Sequence, residues 1–202
     1  MWRMKNPMDK EQLELYEKMR SLTEDLSQLK VEYWYSYSSM SSWQFWVILL
    51  VMFILPLVVL YFFIDRKKIF LIGFYGFNIH VWFRYVDVWG YNQGLWGYPY
   101  ELLPILPGNL SLDATLVPVL FMLVYQWTLN KKKNFYLYSL GLSLFLSFII
   151  KPILVMHHLF ALHKWVNYLH LFLFYCAIFL FSILITKIFI MMQESHKKQD
   201  TV

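Results

Sequence analysis

Apolar positions gather into five long runs, about Trp43–Ile64, Ile69–Trp89, Leu112–Leu129, Phe135–Val155 and Trp165–Ile190, with short polar or irregular links between them. Each run is close to the roughly 20 residues that a helix needs to cross the hydrocarbon core of a bilayer. The segment ahead of them follows another rule. Leu15, Met19, Leu22, Leu26, Leu29 and Tyr33 recur at alternating steps of four and three among charged residues, the spacing of a heptad seam. The pattern predicts an all-α polytopic membrane protein with five transmembrane helices plus an N-terminal amphipathic helix. The expected organisation is an extramembrane helical segment over 1–42, a five-helix bundle over 43–190 and a cytoplasmic tail over 191–202.

Composition agrees with that class. Of 202 residues, 59% are hydrophobic, 21% aromatic and only 15% charged, which argues against an ordinary soluble domain. The net charge of +5 carries no nucleic-acid signal, because the basic residues sit in short clusters between apolar runs. Arg66, Lys67 and Lys68 fill one link, Lys131, Lys132 and Lys133 another, and Lys197 and Lys198 the tail, whereas Gly90–Ser111 contains no Lys or Arg. The positive-inside rule then places both basic links and the C-terminus in the cytoplasm and the N-terminus outside a plasma membrane. The N-terminal 42 residues, with six basic and seven acidic groups, pull weakly the other way. They hold no short apolar stretch of the kind that opens a signal peptide, so no cleavable leader is expected. Trp43, Trp46, Trp89, Trp96, Trp127, Trp165, Tyr98 and Tyr136 fall near run ends, as in an interfacial aromatic belt. The single cysteine, Cys176, lies within an apolar run, which rules out a disulfide framework and suits core packing.

Charge inside the runs changes the picture. His80, Arg84 and Asp87 follow one another at steps of four and three in the second run, so they share a helix face. A charge near the bilayer centre costs from about 3 to over 10 kcal/mol unless paired or wetted, so that face is expected to look into the bundle. The fourth run carries Ser139, Ser143, Ser147 and Lys151 at steps of four, followed by Pro152. Small residues at that spacing, like Gly76 in the second run, allow close helix approach. Arg84 lies 15 residues from the cytoplasmic start of its run and Lys151 lies 16 from the start of its own. Two cations at one depth need anions: Asp87 is the local candidate, Asp113 the second and Glu101 in the outer link the third. The expectation is a network of Arg84, Lys151, Asp87 and Asp113 that opens outward. A purely structural ion pair between Arg84 and Asp87 is the competing reading.

The remaining motifs add less. His157, His158 and His163 occupy the fourth link, and His163 and His170 are seven apart, two turns on one helix face. His157 and His170 are the weak candidates for a metal. No HExxH, zinc-spaced Cys/His cluster, GxxxxGK[ST] loop or GxSxG elbow is present, so no cofactor is expected and an enzyme is disfavoured. The Gly90–Ser111 link is rich in Gly, Pro and aromatics, and suits either a lid over Arg84 or an interfacial connector. Its Trp96-Gly-Tyr-Pro99 stretch, Pro107, Asp113 and the Tyr125-Gln126 pair resemble a group of small, uncharacterised multi-pass membrane proteins of Gram-positive bacteria over residues 43–190. That resemblance implies an architecture and no reaction. Three functions follow as expectations. An outward-facing polar pocket would bind or pass a small polar solute, an ion or a lipid headgroup through His80, Arg84, Asp87, Asp113, Lys151 and Glu101. A non-enzymatic subunit would assemble with itself or a membrane partner through the N-terminal seam of Leu15, Met19, Leu22, Leu26 and Leu29. A metal-dependent enzyme would use His80, Asp87, His157 and His170.

Overall fold

A computed structural model of the chain describes residues 9–106 and 108–199. Pro107 lies outside them, as do the side chains of the basic tail at Lys197 and Lys198. Six helices account for most of the described chain. Helix α1 spans Lys10–Tyr33, α2 Trp43–Phe63, α3 Ile69–Asn92, α4 Leu112–Lys131, α5 Phe135–Met156 and α6 Tyr168–Gln199. Four of them, α2, α4, α5 and α6, are long and apolar enough to cross a membrane. Their outer faces carry the chain's large apolar side chains, among them Phe62, Leu137, Phe148, Leu173 and Phe189. Water would penalise that arrangement and lipid tails would not.

Helices α3, α4, α5 and α6 close a ring: α4 packs on α3 and α5, and α6 completes it between α3 and α5. Helix α2 leans on α4 from outside. The centre is aromatic and tight, with Tyr75 against Tyr125 at 4.5 Å between ring centroids and against Phe135 at 5.7 Å. Gly76 brings α3 onto α4, because a Cβ there would overlap the Met122 thioether. Its neighbour is therefore Met122 rather than the serine face. Ser139, Ser143 and Ser147 are fully buried, as the step-of-four pattern implies.

Three spans contain a π-helical stretch, at Ile48–Ile54, Leu112–Leu116 and Leu146–Ile150. A proline follows each within two residues: Pro56, Pro118 and Pro152. Proline has no N–H to give the preceding turn, and the ladder widens there instead of breaking.

The basic end is tied by Gln126. Its amide donates to the Phe63 carbonyl at 2.8 Å and accepts from the Asp65 backbone at 2.7 Å, which holds the end of α2. At the opposite end, the link after α3 and the link before α6 join through a two-residue antiparallel pair, β1 (Trp96–Gly97) and β2 (Ala161–Leu162). Asn167 caps α6 by accepting from the Leu169 and His170 backbones. His163 consequently lies in the link, immediately after β2, and does not share a helix face with His170; the capping asparagine starts the helix later than apolar content alone suggests. Helix α1 stands at this same end and buries none of its residues.

Candidate functional site

The polar side chains of α3 converge at the α1 end of the bundle, where the backbone around Gly108 decides their partners. Gly108 has φ +79°, and a Cβ there would overlap Asp87 Oδ2 and stand 3.1 Å from Arg84 Nη1. Only glycine lets the link pass this close with that backbone twist. The next residue, Asn109, then does two things. Its backbone N–H donates to Asp87 Oδ2 at 3.2 Å, and its side chain caps α4 by accepting from the Ser111 and Leu112 backbones at 3.0 and 3.1 Å.

Asp87 is buried and accepts two further hydrogen bonds on Oδ1, from Trp96 Nε1 at 3.0 Å and from the Tyr98 hydroxyl. Arg84 donates to Asp113 Oδ2 at 2.8 Å, and Asp113 is 1% exposed. The ion pair of Arg84 is thus with Asp113, not with the Asp87 that lies three residues along its own helix. Asp87 is one turn nearer the link and meets three neutral donors, while Arg84 reaches across to α4. His80 Nδ1 lies 2.8 Å from the Asp113 carbonyl. A carbonyl only accepts, so Nδ1 carries the proton.

Lys151 is buried with its Nζ 3.5 Å from the Phe160 ring centroid and 5.7 Å from that of Tyr98. Among the described residues no carboxylate lies within 4.0 Å of it. Aromatic faces give a desolvated ammonium partial compensation. Lys151, Asp87 and Tyr98 also share the wall of a cavity of about 20 Å³, room for roughly one water molecule. The charges Arg84, Asp87, Asp113 and Lys151 therefore gather; Asp87, Asp113 and Lys151 are buried, while the Arg84 side chain stays a quarter exposed. The cavity walled by Asp87 and Lys151 holds nothing larger than about one water.

Ligand-sized space lies next door. A cleft of about 400 Å³ runs between the last turns of α1 and the link, walled by Leu29, Tyr33, Trp34, Tyr91, Tyr98 and Pro104. Lys30, Glu101 and His163 also line it. Trp34 Nε1 and the Ser38 hydroxyl donate to the Glu101 carbonyl, and the Glu101 N–H donates back to Ser38 Oγ. Glu101 therefore belongs to this cleft and not to the Arg84 cluster. Burial pushes its carboxyl up to about 8, against the lowering effect of Lys30.

Trp96 and Tyr98 are the functional-looking residues that belt reasoning misassigns. Trp43, Trp46, Trp89, Trp127, Trp165 and Tyr136 are exposed as a belt requires, but Trp96 and Tyr98 are buried on Asp87. Gly90 is the signal, since a Cβ there would overlap the Trp96 ring, which packs directly on the α3 backbone. His157 packs edge-on to Trp43, and His170 bonds Asn167 at 2.9 Å. Among the described residues no three His, Cys, Asp or Glu side chains come together to hold a metal, and His80, Asp87, His157 and His170 do not gather. Comparison with known protein families, with curated proteins and with solved structures finds no match.

Proposed function

We propose that the chain is a five-span membrane protein, with α3 as the fifth span, that binds a small polar or amphipathic ligand such as a solute or lipid headgroup in the cleft beneath α1. The observation that carries this reading is the contrast between two spaces. The charged network encloses room for about one water, whereas the aromatic cleft has the size and mixed lining of a ligand site. Alternation of the helix ends supports five spans, with Arg66–Lys68 and Lys131–Lys133 together at one end. On the positive-inside rule that end is cytoplasmic and the cleft faces outward from the plasma membrane. The Arg84–Asp113 and Asp87 contacts then serve to hold the link that forms the cleft floor. The small size of the cavity beside Asp87 and Lys151 also argues for binding over passage of a solute.

Gly97 lines the cleft, and a Cβ on it meets only His163 Nε2 at 3.6 Å. Gly97→Phe should fill the cleft without touching the bundle. Native mass spectrometry of protein extracted from bilayers is expected to find amphiphiles retained by the wild type and lost from Gly97→Phe. Equal retention by both would remove the cleft as the binding site.

A second reading rests on α1 itself. Leu15, Met19, Leu22, Leu26 and Leu29 are each more than half exposed, and a lone helix of this length is marginal in water. Asp25 and Lys30 fall at g and following e positions of the seam, where they can pair between parallel copies. Light scattering in micelles should then show a dimer or larger complex that is lost on deleting residues 9–30. A monomeric full-length protein rejects this assembly.

A further inference from the structure

We propose, resting on the cleft as the binding site, that its ligand is a zwitterion, with Glu101 holding a cationic amine pole and Lys30 an anionic phosphate or carboxylate pole. An acidic and a basic side chain line one cleft, and no ion pair joins them: the ion pairs among the described residues are those of Arg20 and Arg84. Glu101 is anchored through its backbone by Trp34 and Ser38, and no hydrogen bond from the described residues reaches its carboxyl group. The anchor holds the carboxyl on the cleft wall whether or not a ligand is present. Lys30 Nζ rests 4.7 Å from the Tyr91 ring centroid, a weak contact that an anion can replace.

The rest of the lining fits the same class. Tyr33, Trp34 and Tyr98 line the same cleft as Glu101, and aromatic rings attract an ammonium group that reaches their faces. Leu26 and Leu29 extend the wall along α1, where an acyl chain or other apolar tail can lie. A purely anionic ligand would leave Glu101 neutral and without a partner, and a purely cationic one would face Lys30. An ammonium pole beside Glu101 favours the ionised carboxylate over the neutral acid that burial favours in the empty cleft, so a zwitterion meets each wall group with the opposite charge. The same chemistry has two sources, the headgroup of a zwitterionic phospholipid and a free zwitterionic metabolite.

Titration calorimetry on the full chain in maltoside micelles separates them. The probes are dihexanoylphosphatidylethanolamine, glycerophosphoethanolamine without acyl chains, and dihexanoylphosphatidylglycerol without the amine. The wild type is expected to bind the first at least about tenfold more tightly than the third, one charge-assisted contact being worth that factor. Glu101→Gln and Lys30→Gln should each lose about tenfold for the zwitterion, and Glu101→Gln should erase the preference over phosphatidylglycerol. Binding of the acyl-free probe as tight as the lipid identifies a soluble zwitterion, and tighter binding of the lipid identifies the membrane. Equal affinity for phosphatidylethanolamine and phosphatidylglycerol, or unchanged affinity in both variants, overturns the zwitterion assignment while leaving a cleft ligand. Absence of binding for all three probes, together with equal amphiphile retention by Gly97→Phe, sinks the cleft reading itself.

Discussion

Replacing Gly108 by alanine should cost the protein more stability than any other single methyl group added to a glycine of the links. The residue has φ +79°, where an L side chain costs roughly 1–2 kcal/mol. The added Cβ would overlap Asp87 Oδ2 and approach Asp87 Cγ to 3.2 Å, so the carboxylate must move. Moving it gives up the donor from Asn109, a charge-assisted bond worth about 1.5–3 kcal/mol. Together these give about 2.5–5 kcal/mol. Gly141→Ala in the middle of α5 is the control. Nothing lies within 4 Å of its Cβ, and a helical Gly→Ala change gains about 0.5–1 kcal/mol. Reversible unfolding of both variants by dodecyl sulfate in mixed micelles, followed by far-ultraviolet circular dichroism, measures the difference. A Gly108→Ala variant within about 1 kcal/mol of wild type would refute the close packing of link against α3.

Three further outcomes follow from the same site. Lys151→Met should be neutral or stabilising by up to about 2 kcal/mol in the same unfolding assay, because a buried ammonium without an ion pair is replaced by an apolar group of similar shape; a loss above about 3 kcal/mol would show that its charge is needed. Arg84→Gln alone should destabilise by about 3–5 kcal/mol by leaving Asp113 buried and unpaired, whereas adding Asp113→Asn should recover part of the loss; strictly additive effects in the double-mutant cycle would contradict the pair. Glu101 has a folded-state value of about 8, above its ordinary 4.5, so the folded state holds its proton more tightly than the unfolded chain. Its contribution is therefore full at low pH and is lost as pH rises from about 4.5 through about 8. Lys30 on α1, His163 on the neighbouring link and Arg84 and Asp87 on α3 act on it or face the same cleft. Melting curves across that window should show wild type losing stability relative to Glu101→Gln, and parallel curves would reject the buried carboxyl.

Much of the architecture is legible in residue order because a bilayer imposes simple rules. Run length and apolar content predict the spans, and all four that meet them in the structure start within a few residues of their runs. The step-of-four spacing of Ser139, Ser143, Ser147 and Lys151 predicts a buried face, and those residues are buried. Local chemistry shifts only the ends, as at Asn167, where a cap begins α6 after His163.

Partner choice is different in kind. Helical spacing shows that His80, Arg84 and Asp87 share a face, but not what that face meets. Asp87 stands three residues from Arg84 and is the obvious counter-ion in one dimension. Asp113, 29 residues away, takes the pair because α4 crosses beside α3 at that height. Trp96 and Tyr98 read as belt residues until Gly90 and Gly108 let the link fold flat onto α3. The same folding buries Asp87 and Asp113 and shapes the cleft under α1, so the ligand-sized space is walled partly by seam residues of α1, such as Leu29 and Tyr33, and partly by link residues that no periodicity singles out. Local periodicity determined the helices and which faces turn inward, because it acts through covalent geometry and hydropathy. The tertiary structure alone decided which carboxylate meets which cation and where a ligand has room, because those depend on side chains tens of residues apart arriving within a hydrogen-bond length.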